Sequence, residues 1–515
     1  MKPRDIRTAA IGRALLPNVW DVAALILVIG AMVLIVYGGE QTTVPLSELE
    51  RAPVTLDPAN LPLYALRTVL RMLLAIVCST VFTFIYAAIA AKSRRAELVM
   101  IPLLDILQSV PILGFLTFTV VFFMNLFPGQ VLGAELASVF AIFTSQAWNM
   151  TFSLYQSIRN VPKDLEEATQ SFHLSGWQRF WRLDVPFAMP GLIWNAMMSM
   201  SGGWFFVVAS EAITVGNTTV TLPGIGSWLA LAIAREDFAA IGWAVGAMAV
   251  VILLYDQLVF RPVVAWADRF RFEQTASTER PRSWAYDLFR RTRLLPLLFA
   301  PVIGLGRLLL LLDPCGGHRR TTKELSASQI SELAWQALLA TGVIFAAWTI
   351  VAFVMRSLNW SDALAVLGLA CLTMIRVLVL IALASLIWVP IGVWIGLRPK
   401  WAERFQPVAQ FLAAFPANVL FPFAVIAIVH WRLSPDVWLS PLMILGTQWY
   451  ILFNVIAGAS AIPTDLREAA GMFGVKGWQW WRQVALPGIF PYYVTGALTA
   501  SGGSWNASIV AEAVS

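Results

Sequence analysis

A polar segment occurs twice in this 515-residue chain, and it limits what the rest can be. The first copy, Val161 to Pro190, reads VPKDLEEATQSFHLSGWQRFWRLDVPFAMP. The second, Ile462 to Pro491, reads IPTDLREAAGMFGVKGWQWWRQVALPGIFP. Laid together without a gap, they share Pro162/Pro463, Asp164/Asp465, Leu165/Leu466, Glu167/Glu468, Ala168/Ala469 and Phe172/Phe473. They also share Gly176/Gly477, Trp177/Trp478, Gln178/Gln479, Pro186/Pro487 and Pro190/Pro491. Long apolar runs flank both copies, so each is an island of charge in a chain otherwise suited to lipid. Such a duplication implies a common role at the bilayer surface, in contact with something outside the membrane.

Each island reads as a short helix. The prolines are followed by Asp in the N-cap region and Glu in the first turn, which places acids at the positive end of the helix dipole. Ala168, or Ala469 and Ala470, keeps one helix face small, and that face is expected to point outward. Gly474 stands where a left-handed cap would stop the second helix after about two turns. Trp177 and Trp478 suit the membrane interface. The plainer alternative is a helical turn of the kind any loop between spans can contain; duplication along the whole segment argues against it.

The pattern resembles the Glu-Ala-Ala loop of the transmembrane subunits of binding-protein-dependent ABC importers. In that family the loop runs Glu-Ala-Ala, three residues, Gly, nine residues, an aliphatic, any residue, then Leu-Pro. Glu468, Ala469, Ala470, Gly474, Val484, Leu486 and Pro487 fit it. The first copy departs at Thr169, His173 and Val185-Pro186. The resemblance implies that each loop is a coupling helix docking in a groove of a separate ATPase subunit, with two ATPase subunits and a periplasmic substrate-binding protein as partners. By the same resemblance Asp164, Glu167, Ala168 and Gly176, with Asp465, Glu468, Ala469, Ala470, Gly474 and Gly477, are the coupling residues.

Composition agrees with a membrane protein: 58% hydrophobic, 13% charged, mean hydropathy +0.72. The 23 Trp and 31 Phe supply material for interfacial belts. Cys78, Cys315 and Cys371 form no paired spacing, and His173, His318 and His430 lie far apart, so neither a disulfide framework nor a metal centre is indicated. Lys2, Arg4, Arg7 and Arg13 precede an apolar run without a small-residue cleavage site, which reads as a cytoplasmic start to a retained helix. The net charge of +6 concentrates between Arg261 and Glu332. Positive-inside bias accounts for it more simply than nucleic-acid binding.

The expected fold is an all-α polytopic bundle of two parallel repeats. The first half (1–262) offers six spans, near 19–37, 62–90, 98–124, 132–156, 186–211 and 237–260. A basic cytoplasmic or interfacial linker (263–330) follows. The second half (331–515) offers five, near 333–356, 363–396, 405–430, 437–459 and 487–511. Arg4, Arg7 and Arg13 place the N-terminus on the cytoplasmic side of a bacterial inner membrane, and Lys92, Arg94 and Arg95 place the loop after the second span there. Arg159, Lys163, Arg179 and Arg182 do so for the first island; Arg398, Lys400 and Arg404 set the second island on the same side. The run Leu294 to Leu312, interrupted by Pro296, Pro301, Gly304, Gly306 and Arg307, reads as interfacial, in contact with membrane lipids.

The repeat extends beyond the islands. Thr68-Val-Leu-Arg71 matches Thr373-Met-Ile-Arg376, Pro102 and Pro111 match Pro407 and Pro416, and Glu211 matches Glu512. The Thr-x-x-Arg helix with its Pro-rich successor resembles the nitrate/sulfonate/taurine branch of these permeases, which implies a small anion such as a sulfonate or nitrate as substrate. After Glu211 a further loop and helix follow, whereas three residues follow Glu512; a longer natural polypeptide, or a second half without its last helix, is expected.

No Gly-rich phosphate loop followed by Lys-Ser/Thr is present, so ATP and Mg are expected on a partner, and no enzyme site is evident. Arg71 and Arg376 are intramembrane charges that need a partner or water. Pairing with Glu211 and Glu512 is one expectation; attracting an anion along the pathway and snorkelling to the interface are the others. Ser201-Gly-Gly203 and Ser501-Gly-Gly503 read as close packing between the halves, or as a gate that Trp204 and Trp505 could plug. An ion-gradient-driven transporter with parallel repeats and a membrane scaffold are the alternative classes. The first would need ionisable groups at the bilayer midplane, and the second leaves duplicated loop helices without a purpose.

Overall fold

The computed structural model describes residues 18–40, 42, 44–47, 53–110, 112–215, 218–270, 283–311, 329–357, 359–460 and 462–513. Lys2, Arg4, Arg7, Arg13, Cys315, His318 and the linker stretches 271–282 and 312–328 lie outside them. The first half comprises α1 (Val19–Glu40), α2 (Leu61–Lys92), α3 (Arg94–Ser109), α4 (Ile112–Leu126), α5 (Val131–Arg159), the loop helix α6 (Lys163–Ser171) and α7 (Val185–Glu211). It continues with an antiparallel hairpin, β1 (Ala212–Val215) and β2 (Thr218–Thr221), then α8 (Ile225–Ala234) and α9 (Phe238–Tyr255). α10 (Trp284–Arg291) and α11 (Ala300–Leu311) lie in the connection. The second half comprises α12 (Gln329–Ser357), α13 (Trp360–Gly396), α14 (Pro399–Ala414), α15 (Phe421–His430), α16 (Gln448–Ser460), the loop helix α17 (Thr464–Met472) and α18 (Leu486–Ala513).

Among the described residues, 7 helices are long and apolar enough to cross a membrane. Three expected continuous spans are interrupted, and the reasons are local. The runs 98–124 and 405–430 break at Val110 (φ −73°, ψ 124°) and Phe415 (φ −70°, ψ 124°), each directly before a proline. Proline disfavours the helical region for its predecessor, and Pro111 and Pro416 impose that break in both halves. The run 437–459 is divided by a turn at Gly446–Thr447 between the short helix Ser440–Leu445 and α16. Where the sequence suggests only a loop after Glu211, the structure forms a hairpin. β-Branched residues make up all but Ala212 of the two strands, and the ladder pairs Ala212 with Thr221 through Val215 with Thr218.

The sequence repeat is a structural repeat. α3 and α14 have the same 16-residue length at a shift of 305. α6 and α17, each of 9 residues, stand at a shift of 301, as do the starts of α7 and α18. A π-helical turn precedes each of the latter, Phe180–Asp184 and Trp481–Ala485. Wide turns of this kind recur at functional sites, and here each sits just ahead of a proline that has no N–H to give, Pro186 or Pro487.

Each half buries its own core. Met72, Ile142, Leu154, Trp204, Trp228 and Met248 anchor the first, and Val377, Met443, Ile451, Val455 and Ile489 the second. The halves meet where Met198 of α7 is buried with Ile395, Ala409, Ala413, Leu452 and Phe453. There the Tyr450 hydroxyl donates to the Met198 carbonyl at 3.4 Å. Apolar side chains outside these cores face outward, as on α12 (Val343, Ile344, Phe345, Trp348), which suits lipid solvation. The connection is tied to the first span: Asp21 in α1 accepts from the Arg293 and Leu294 N–H groups at 2.6 and 2.8 Å.

Candidate functional site

The two loop helices end alike. The Leu174 N–H donates to the Thr169 carbonyl at 3.1 Å, and the Val475 N–H to the Ala470 carbonyl at 2.9 Å, six-to-one bonds of a Schellman cap. That cap requires a left-handed residue, which is His173 (φ 53°) in one copy and Gly474 (φ 67°) in the other. The departure of the first copy from Gly therefore leaves the backbone path unchanged. Gly176 opens a short helix whose N-cap Ser175 forms a capping box with Gln178; Lys476 replaces that serine in the second copy, and Gly477 there takes φ 59°.

The outward face of these helices differs from the expectation. Thr169 and Ala470 turn inward and are buried, and Ala168 and Ala469 are half-buried. Ala470 joins the core of its half with Val484 and Ala485. What faces outward is Asp164, Glu167, Asp465 and Glu468, with Phe172 78% and Phe473 85% exposed. Each helix thus offers carboxylates beside one bare aromatic ring.

Within the bundle, the structure brings Arg71 and Glu211 together at 2.6 Å (Nη1 to Oε1). It adds two charged side chains that sequence reasoning missed, Glu135 and Arg67. Glu135 of α5 takes Arg71 Nε at 2.5 Å and Arg71 Nη2 at 2.7 Å, and it pairs with Arg67 at 2.7 Å. Glu211 further accepts from the Thr68 hydroxyl at 2.7 Å and the Gly226 N–H at 2.6 Å. Two cations and two anions, all buried, thus join α2, α5, α7 and α8. Charges so far from water persist only when paired. The approach demands glycine: a Cβ at Gly226 would lie 2.3 Å from the Val208 carbonyl oxygen, and one at Gly224 2.2 Å from the Glu211 carboxylate. In the second half Arg376 and Glu512 lie 3.4 Å apart and are far more exposed. Glu135 is legible as a lone acid in the apolar run VLGAELASVF.

A cavity of about 380 Å³ lies between the halves. α7 contributes Met197, Met198, Met200 and Trp204, Tyr255 at the end of α9 and Asp256 and Arg261 just past it contribute, and the second half contributes Phe411, Trp449, Tyr450 and Phe453. Arg261 is paired to Asp256 at 2.9 Å, and neither Arg71 nor Glu211 lines this space. Trp204 is buried edge-on to Tyr255 at 5.6 Å and forms wall; Trp505 packs on the second core and does not line the cavity. Gly203 and Gly503 pack closely within their own halves, while Gly202 and Gly503 line a small space shared by the two halves. A Cβ at Gly203 would meet Gln146 at 2.7 Å and Met72 at 3.0 Å, and one at Gly503 would meet Thr447 at 2.5 Å. Thr447 in turn shares a hydrogen bond with Ser504 at 2.8 Å, so a polar clamp holds this contact.

Two helical repeats of one chain order, a polar loop helix in each and a cavity where they meet define a polytopic membrane permease. The sequence model of the binding-protein-dependent transport system inner membrane component matches residues 79–261 and again 388–515, and the chain belongs to that family. The double match makes the two halves fused repeats of one unit. The bicarbonate transport system permease protein CmpB of Synechococcus elongatus is 28% identical over 133 residues, 26% of this chain and 46% of its own length. The nitrate import permease protein NrtB of Synechocystis is 26% identical over 137 residues, 27% and 48% of the two chains. The glycine betaine/carnitine transport permease protein GbuB of Listeria monocytogenes is 30% identical over 174 residues, 33% and 54%. The chain spans about half the length of the curated relatives it matches.

Proposed function

We propose that this chain forms the translocation pathway of an ATP-driven importer in a bacterial inner membrane, with its N-terminus and both loop helices on the cytoplasmic side. The observation that carries this reading is the pair α6 and α17, equal in length and cap, each turning Asp164 or Asp465, Glu167 or Glu468, and Phe172 or Phe473 outward. In a family of binding-protein-dependent transport components, two repeated polar knobs suit two like sockets. Those sockets belong to two ABC ATPase subunits, which bind ATP and Mg; the chain itself is no enzyme. Closure of the ATPase pair displaces the loop helices and swings the bundles between inward- and outward-facing forms. A periplasmic binding protein delivers the substrate, membrane lipids cover the apolar faces, and nucleic acid has no part.

The substrate is a small anion of the sulfonate or nitrate kind, a reading supported by the nitrate and bicarbonate relatives. The cavity of about 380 Å³ has room for one such solute. Proteoliposomes holding the chain with its ATPase subunits and binding protein should take up a labelled sulfonate or nitrate only when ATP is supplied. Uptake driven by an ion gradient without ATP would overturn the proposal in favour of a secondary transporter.

A further inference from the structure

In the first half, four charged side chains run in sequence from the loop helix into the bundle. Glu166 of α6 accepts from Arg179 Nη1 at 2.5 Å. The same guanidinium reaches Asp184 Oδ1 through Nε at 3.4 Å. Asp184 ends the π-helical turn that leads into α7, and it is fully buried. Its other oxygen accepts from Lys92 Nζ at 2.8 Å. Lys92 is the last residue of α2, whose opposite part carries Arg67 and Arg71, and its ammonium lies 5.5 Å from the Phe180 ring centre. One buried carboxylate therefore joins the loop helix, the start of α7 and the end of α2.

The second half cannot build this chain. At the shift of 301, Glu166, Arg179 and Asp184 become Arg467, Trp480 and Ala485; at the shift of 305, Lys92 becomes Leu397. Trp480, Trp481, Ala485 and Leu397 instead gather in one apolar cluster with Ala470 of α17. The positions of Arg179, Asp184 and Lys92 are thus ionic in one half and apolar in the other.

We propose that Asp184 is a positioning residue for energy coupling: it makes α6, α7 and α2 move as one body, while the second half transmits through non-directional apolar contact. The physical ground is the cost of opening the joint. Opening it would strand the fully buried Asp184 carboxylate away from Lys92 and Arg179, whereas apolar contacts are non-directional and impose no fixed pairing. The proposal rests on the importer reading only for the source of the motion.

The test has two arms. In nanodiscs, spin labels at positions 94 and 171 of the otherwise cysteine-free chain report the distance between the start of α3, two residues past the end of α2, and the loop helix. Asp184→Asn should broaden that distance distribution, and so should Arg179→Gln, a milder change at a partly exposed side chain that leaves Lys92 paired with Asp184. Unchanged widths overturn the proposal whatever the chain transports. In the assembled transporter, Asp184→Asn should lower the substrate moved per ATP hydrolysed severalfold while the ATPase subunits stay bound. The triple variant Lys92→Leu, Arg179→Trp, Asp184→Ala, which installs the second half's apolar set, should recover most of that ratio. A wild-type ratio in Asp184→Asn, or no recovery in a folded triple variant, overturns it. Absence of any ATPase subunit from the wild-type chain would instead count against the importer reading alone.

Discussion

Arg71 and Glu135 meet through two parallel hydrogen bonds, Nε to Oε2 at 2.5 Å and Nη2 to Oε1 at 2.7 Å, with both side chains buried. The fork geometry of the guanidinium fits a carboxylate in this way, and it leaves Nη1 to hold Glu211 at 2.6 Å. Neutralising either acid leaves an unbalanced cation deep in the bundle. Glu135→Gln and Glu211→Gln should each cost about 3–5 kcal/mol in thermal unfolding of the purified chain. The half-exposed partner in the second half sets the contrast: Glu512→Gln should cost under about 1 kcal/mol. Equal losses at positions 135 and 512 would show that burial does not govern these pairs.

The glycines after the hairpin carry the second expectation. A Cβ at Gly226 would fall 2.3 Å from the Val208 carbonyl oxygen, which is backbone and cannot swing aside. Gly226→Ala should therefore push α8 away and break the N–H bond to Glu211, lowering the unfolding temperature by about 2 °C for about 2 kcal/mol lost. At Gly242 an added methyl group would meet nothing within 4 Å, so Gly242→Ala is the matched control and should be nearly silent.

At the loop helices, the left-handed cap is the sensitive point. Gly474→Val places a β-branched residue at φ 67° and should cost about 1–2 kcal/mol locally. Faster limited proteolysis between α17 and the following turn would report it. His173→Gly relieves the same conformation in the first copy and should slow cleavage there. Unchanged cleavage in both would remove strain from the account of these caps.

Much of this architecture is readable in the sequence because it repeats. The island boundaries, the Thr-x-x-Arg match and the paired prolines locate both halves without any three-dimensional information. The broken spans are readable too, since Pro111 and Pro416 sit within the apolar runs, but hydropathy averages over a proline while backbone geometry does not. The Glu135 partnership is not visible there because its arginines lie more than sixty positions away, and only the packing of α2 on α5 brings them together. The hairpin is masked by composition: Ala212–Val215 and Thr218–Thr221 are short, and their β-branched residues also suit the end of an apolar helix. The inward turn of Ala470 is likewise a matter of packing, since helical spacing alone does not say which face a partner covers.

The central claim is that the two loop helices hold ATPase subunits. The most direct measurement is recovery of the tagged chain from its own host in mild detergent, with co-purifying proteins identified by mass. An ATPase should accompany the wild-type chain and be lost when Glu167→Lys and Glu468→Lys are combined, since both carboxylates face outward beside the exposed Phe172 and Phe473. Membranes that contain the intact chain but yield no ATPase, or a double variant that retains it in full, would contradict the account.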